Sequence, residues 1–277
     1  MAVSAIPRIP FTLPNMPTRP TYGEPSARDL RLMSYDALKV WIKPDADNVR
    51  RAGKMMRIAG RKGYIAYTGD NAIITGVGMT GDAKAVVKFP GGTTGGGELP
   101  LHVPEYELSE ERGYFVAAVI KFGAGMVASG VPYTFFAAGI DTAVNDMQFY
   151  MLNNALCLSH GNVAAQQTTG GTFVAGNCYL VWASYDPVTQ VGAVGSNSVL
   201  PRAWATSNVL GPAGGGREVV IGAKFNVPGT QGSQMFLGDM AEVFICDEQW
   251  VTADKEIIRA DFLADVASLY TADFTLA

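Results

Sequence analysis

Asp239 and Glu242 are the residues whose type best suits acid–base chemistry. They share one strand-like run, Gly238-Asp239-Met240-Ala241-Glu242-Val243-Phe244-Ile245. Cleaving a glycosidic bond takes two carboxylates that flank it. Three residues apart on a regular strand, these two point to opposite faces. The spacing therefore argues against hydrolysis, and Asp239 reads as a turn residue. Acyl transfer by a serine is also poorly provided for: Gly-x-Ser-x-Gly does not occur. The two histidines, His102 before Val103-Pro104 and His160 before Gly161, read as structural or surface residues.

Gly76-Val77-Gly78-Met79-Thr80-Gly81 matches a dinucleotide fingerprint, which works only if a helix opens behind it. Here Asp82 to Phe89 reads as a strand ending at Pro90-Gly91-Gly92, so no helix fits. The glycine loops 91–97 and 211–216 lack the Gly-Lys-Ser/Thr ending of a phosphate loop and read as sheet connections. Asp45-Ala46-Asp47-Asn48 lacks the glycine and distal glutamate of a calcium loop. The run Arg50 to Lys62 is basic but carries no interleaved aromatic residues for stacking bases. We read it as a protein-facing or solvated loop, and nucleic acid is not the expected partner. The expected set of catalytic residues, metal ligands and cofactors is empty.

The elements that would carry any site are strands. Tyr64–Thr68, Ala72–Val77, Lys84–Phe89, Glu98–His102, Tyr114–Phe122, Tyr133–Ala138, Met147–Leu152, Ala155–His160, Cys178–Tyr185, Val191–Gly195, Glu218–Gly222 and Gln234–Cys246 follow one another, separated by turn residues. Strands at this spacing, with no helices between them, predict an all-β antiparallel sandwich. A short helix is expected between Ser26 and Leu38. A longer amphipathic one is expected over 252–270, with Thr252 as cap and Ile258, Phe262, Val266 and Leu269 as its apolar stripe.

Of the 277 residues, 48% are hydrophobic and 17% charged, with 32 glycines and 15 prolines, as suits a folded chain rich in turns. No apolar run approaches a membrane span. The proline-interrupted start is not a signal peptide, and we expect synthesis in a host cytoplasm. The three cysteines, Cys157, Cys178 and Cys246, sit in apolar strands and read as buried free thiols. Twelve Lys/Arg against five Asp/Glu make residues 1–62 net +7, while the remainder is net −11. A basic front suits an acidic surface.

Prolines 7, 10, 14, 17, 20 and 25 make the start of the chain an extended arm. Between them stand Ile6, Ile9, Phe11, Leu13, Met16 and Tyr22, an apolar set expected to lie on a surface, either that of its own domain or, as the partner-binding arm, that of another subunit. We divide the chain into an arm, 1–35, and a sandwich, 36–277.

Several segments, in order, resemble the laminin-G-like branch of the concanavalin A-like lectin/glucanase family. They are the opening Leu38-Lys39-Val40-Trp41 with Asp45-Ala46-Asp47, then Ala85–Gly92, Tyr114–Ile120, Cys178–Tyr185, Val220-Ile221-Gly222 and the closing Gly238–Tyr270 strand and helix. The resemblance implies a jelly-roll sandwich with a C-terminal helix packed across it. The glucanase branch carries Glu-x-Asp-x-x-Glu on one strand, and no such strand occurs here. The expected function is a non-enzymatic virion structural protein, at the head or tail of a phage, docking by its arm on other virion proteins or identical copies. The alternatives are a tail-fibre module that recognises surface glycans, with Trp204 and Trp250 stacking on sugar, and a glycan hydrolase.

Overall fold

A computed structural model describes residues 25–45, 49–52, 55–68, 74–79, 85–92, 101–108, 112–127, 129–139, 147–160, 166–167, 173–203, 218–227 and 231–277. The arm residues Ile6, Ile9, Phe11, Leu13, Met16 and Tyr22, and also Trp204, lie outside the described residues. In chain order the elements are α1 (Ala27–Ser34), β1 (Leu38–Ile42), β2 (Val49–Ala52), β3 (Met55–Ala59), β4 (Ile65–Thr68), β5 (Ile74–Val77), β6 (Ala85–Gly92), β7 (Leu101–Glu107), β8 (Tyr114–Phe122) and β9 (Tyr133–Ala138). Then come β10 (Met147–Leu152), β11 (Ala155–His160), β12 (Gln166–Gln167), β13 (Cys178–Asp186), β14 (Val191–Ser196), β15 (Arg202–Ala203), β16 (Glu218–Ile221), β17 (Lys224–Val227), β18 (Gln231–Ser233), β19 (Met235–Cys246) and α2 (Glu256–Ala267).

The strands make an antiparallel sandwich. One layer runs β2-β3-β4-β7-β16-β9-β10-β11-β12. The other runs β15-β14-β13-β8-β19. Beyond β19, β1 pairs with its C-terminal half, and β6, followed by β5, pairs with its N-terminal half. Among the described residues a single parallel pairing, Met235 with Thr134, joins the layers at one corner.

β8 explains the layering. Its alternate residues Val116, Ala118, Ile120 and Phe122 face the inner core with Val181, Tyr185, Val243 and Ile245. Phe115, Ala117 and Val119 face the other way, into a second core with Trp182, Phe244, Trp250, Phe262 and Val266. A strand covered on both faces reads as an unbroken apolar run, as Tyr114–Phe122 does. The helices cover that second face. α2 buries Phe262, Leu263, Val266 and Ala267 against it, with Ile258 and Leu269 partly buried. Thr252 makes no side-chain cap. Gln249 Oε1 instead accepts from Val251 N and Thr252 N, at 2.8 and 3.3 Å, and a short 3-10 turn over Ala253–Lys255 precedes α2.

Two expectations about the front of the chain change. α1 is helical as expected, with Ser26 Oγ accepting from Asp29 N at 3.1 Å. It does not belong to an extended arm ending at residue 35, because its Leu32 is fully buried in the helix-side core. The basic run is a hairpin, β2 with β3, rather than a loop. Its charged residues carry little strand propensity, and its pairing with β4 and through β4 with β7 overrides that. β7 also runs through Pro104; a register shift against β16 lies there, which is where a strand tolerates proline.

Candidate functional site

Four chain segments end together at one rim of the helix-side sheet. Tyr185 of β13 pairs with Tyr114 of β8, Phe115 of β8 with Cys246 of β19, and Cys246 with Leu38 of β1. The turns beyond these pairs enclose a cleft of about 480 Å³. Asp36, Ala37 and Lys39 line it from the β1 side, Arg112 from the turn before β8, and Asp186, Pro187 and Val188 from the β13–β14 hairpin. Asp247, Glu248 and Gln249 complete it from the loop after β19. Loops held at one end of a rigid sandwich are where binding residues concentrate.

The rim is tied together by polar contacts. Asp247 N donates to Ala37 O at 2.9 Å and Gln249 N to Arg112 O at 3.3 Å. The Asp247 carboxylate takes Arg112 Nη1 at 3.0 Å and Lys39 Nζ at 3.6 Å. Asp186 accepts from Val188 N at 3.0 Å and from the Thr189 hydroxyl at 2.7 Å, which shapes the hairpin. Glu248 is held by Lys255 Nζ and Trp250 Nε1. Gly113 is required in this corner: its φ is +70°, and an added Cβ would come within 2.2 Å of Tyr185 O. Val188 is 87% exposed and Arg112 keeps 67% of its side chain exposed, so an apolar lip and a guanidinium both meet solvent.

Trp250 is not part of this surface, which corrects the expectation that it stacks on sugar. It is 0% exposed. Its ring lies 4.5 Å from that of Phe115 and 5.1 Å from that of Phe262, and its backbone N–H donates to Ser184 Oγ at 2.8 Å. Proximity to a loop suggested exposure; in fact the residue plugs the core beneath the cleft. The cleft residues themselves carried no signal in the sequence, because they come from four separated turns.

The pair Asp239 and Glu242 also differs from expectation. A β-bulge against β8 intervenes: Met240 pairs with Ile120 and Glu242 with Val119, which leaves Ala241 as the extra residue. One extra residue turns an odd separation into an even one. Asp239, opposite Lys121, and Glu242, opposite Val119, therefore share the helix-side face. Neither serves a turn. Asp239 pairs with Lys88 Nζ at 3.3 Å. Glu242, with its side chain at 0% exposure, accepts Arg28 Nη1 at 3.1 Å and faces Lys43 Nζ at 3.4 Å. Arg28 also donates to the α2 carbonyls of Asp265 and Val266, at 2.8 and 3.1 Å. Burial lowers the Arg28 pKa, but the charge and hydrogen bond of Glu242, with Tyr270 and Asp29, together outweigh it and leave the value raised. One guanidinium thus clasps α1, α2 and β19.

The remaining motifs serve structure. His160 is buried, with the Tyr114 hydroxyl 2.6 Å from its Nε2, and His102 pairs with Glu218. Arg61 binds Asp45 at 2.6 Å and lies 5.9 Å from the Trp41 ring centroid, so this end of the basic run faces protein. Gly78 makes room for a carboxylate: an added Cβ would lie 2.3 Å from Asp239 Oδ2. β6 follows the dinucleotide-like motif where that motif would need a helix. All three cysteines are buried thiols outside any disulfide, as expected. Among the described residues no cluster of His, Cys, Asp and Glu could hold a metal ion, and no helix is long and apolar enough to cross a membrane.

No family model and no curated protein matches the chain. Solved structures do. Trypanosoma rangeli sialidase in complex with 2,3-difluoro-KDN is 12% identical over 84% of this chain, with a TM-score of 0.53. The same organism's sialidase in complex with sialic acid is 13% identical, with a TM-score of 0.52. The HCR/D W1238A mutant, a clostridial toxin binding domain, is 11% identical over 82% of this chain, with a TM-score of 0.51. The chain spans about a third of the sialidase chains (33% and 34%) and about half (52%) of the HCR/D chain. Likeness at such low identity concerns the fold alone, and the fold is the concanavalin A-like, lectin-type β-sandwich with a C-terminal helix.

Proposed function

We propose that this chain is a non-enzymatic recognition protein of a virion. Its N-terminal arm docks on a neighbouring virion protein or an identical copy, and its sandwich is displayed and takes a surface glycan in the rim cleft. The observation that carries the glycan half is the cleft, on a lectin-type scaffold. Carboxylates, an amide and a guanidinium from four turns converge beside the apolar lip of Pro187 and Val188. Polar groups placed around an apolar surface suit a polyol with one apolar ring face. The virion half rests on the sequence: the proline-spaced apolar residues of the arm and the basic front.

A non-catalytic role is supported by the state of the carboxylates. Glu242 is buried in ion pairs, and Asp186 and Asp247 accept from fixed neighbours. A glycan hydrolase is the second reading. The sialidase likeness favours it, but it spans about a third of those chains.

The test is a glycan array probed with the parent chain and with Arg112→Ala. Binding by the parent, weakened about tenfold or more in the variant at unchanged melting temperature, supports the cleft. If no array glycan is bound, the glycan half falls. Deleting residues 1–24 addresses the virion half: the truncated sandwich should fold yet fail to enter particles, and unchanged incorporation would sink the docking role.

A further inference from the structure

Resting on the reading of the rim cleft as a glycan site, we infer that it sorts glycans by charge. It takes neutral ones, gains from a free amine and excludes acidic ones. The lining holds four carboxylates, Asp36, Asp186, Asp247 and Glu248, against two cations, Lys39 and Arg112. Both cations converge on a single carboxylate, Asp247, at 3.6 and 3.0 Å. Glu248 has its own cation, Lys255, from the 3-10 turn. Asp186 accepts from neutral donors, the Val188 N–H and the Thr189 hydroxyl, and among the described residues no cation pairs with it. Asp36 is exposed at the opposite wall.

An incoming sialic, uronic or sulfate group would therefore compete with Asp247 for the two cations and face Asp36 and Asp186 as like charges. Like-charge juxtaposition is how a surface rejects the wrong partner. A sugar hydroxyl meets no such penalty and can donate to Asp36. A protonated amine in the same place adds an opposite charge. The charge effect is screened by salt, whereas the contacts of a neutral sugar are not.

The experiment is calorimetric titration of the full chain with three probes of matched length: an N-acetylated chitooligosaccharide, its de-N-acetylated form and a sialylated oligosaccharide. Each is run at low and at high salt. The expected order is amine, then neutral, then sialylated, with at least a tenfold gap between the last two. The amine advantage should shrink at high salt. Asp36→Lys, an exposed change that should leave the melting temperature in place, is expected to close or invert the gap. Sialylated probe binding as tightly as the neutral one in the parent chain would overturn the charge inference while leaving the glycan reading intact. Absence of binding by all three probes and by every array glycan would overturn both.

Discussion

Replacing Arg28 by methionine tests the clasp that fixes α1 to the body. The guanidinium donates to both Glu242 oxygens, at 3.1 and 2.5 Å, and to the carbonyls of Asp265 and Val266. Methionine fills much of the same volume but leaves a carboxylate at 0% exposure with its main partner gone. Breaking a buried ion pair on one side costs about 3–5 kcal/mol, because the desolvated charge remains. Lys43, 3.4 Å from Glu242, compensates in part, so the lower end of that range, about 3 kcal/mol, is expected. For a domain of this size that is a fall of roughly 6–12 °C in melting temperature. Urea unfolding by linear extrapolation measures the same quantity at fixed temperature. Arg31→Ala is the control. Its ion pair with Asp265 spans 2.6 Å, but the arginine side chain is 55% exposed, so it should cost about 0–1 kcal/mol. The double variant Arg28→Met with Glu242→Leu removes both charges and should recover much of the loss. A single-variant cost below about 1 kcal/mol, or a double variant as unstable as the two losses added, would refute the reasoning.

Truncation follows from the same geometry. Removing residues 1–24 keeps the Ser26 cap and α1, and melting should shift little; removing 1–35 also takes Leu32 out of the helix-side core, strips Glu242 of Arg28, and should leave a chain without a cooperative transition. Alkaline stability should collapse sharply. Burial pushes the Cys157 thiol up to about 12 and raises Cys246, Tyr106, Tyr114, Tyr150 and Tyr270, whereas the unfolded groups titrate near 9.0 for Cys and 10.0 for Tyr. The folded state thus keeps protons that the unfolded state releases. Stability is whole below about pH 9 and falls by about 1.4 kcal/mol per pH unit for each such group as pH rises toward the folded values. Circular dichroism and tyrosinate absorbance should change together within roughly a unit above pH 10; a gradual tyrosinate titration with unchanged dichroism would contradict the burial. Trp250→Ala should cost about 3–5 kcal/mol in chemical denaturation by leaving a core cavity, and a near-neutral effect would mean the ring is not buried.

Much of the fold was legible because strands announce themselves locally. The spans of β8, β9, β10 and β11 agree with the sequence reading residue for residue. β-Branched and aromatic runs bounded by turn residues need no distant partner to be recognised. The Ser26 cap and the apolar stripe of α2 are local in the same sense. β2 and β3 were not legible, since arginines and lysines carry no strand signal and only pairing with β4 makes them strands. Trp250 misled because closeness to a loop in sequence was taken for exposure, while Phe115 and Phe262, which cover it, come from β8 and α2.

What the sequence determined by itself is thus the class of fold, the buried thiols and the strand-to-helix close of the chain, all written in periodicities and propensities a few residues long. Tertiary structure alone decided the rest. The bulge at Ala241 put Asp239 and Glu242 on one face, because facing depends on register against β8 and not on spacing along the chain. Arg28 joined α1 to a carboxylate 214 residues away, and four turns met at one rim to make the cleft. These features are set by which chain ends the sheet brings side by side, and no short stretch of sequence encodes that.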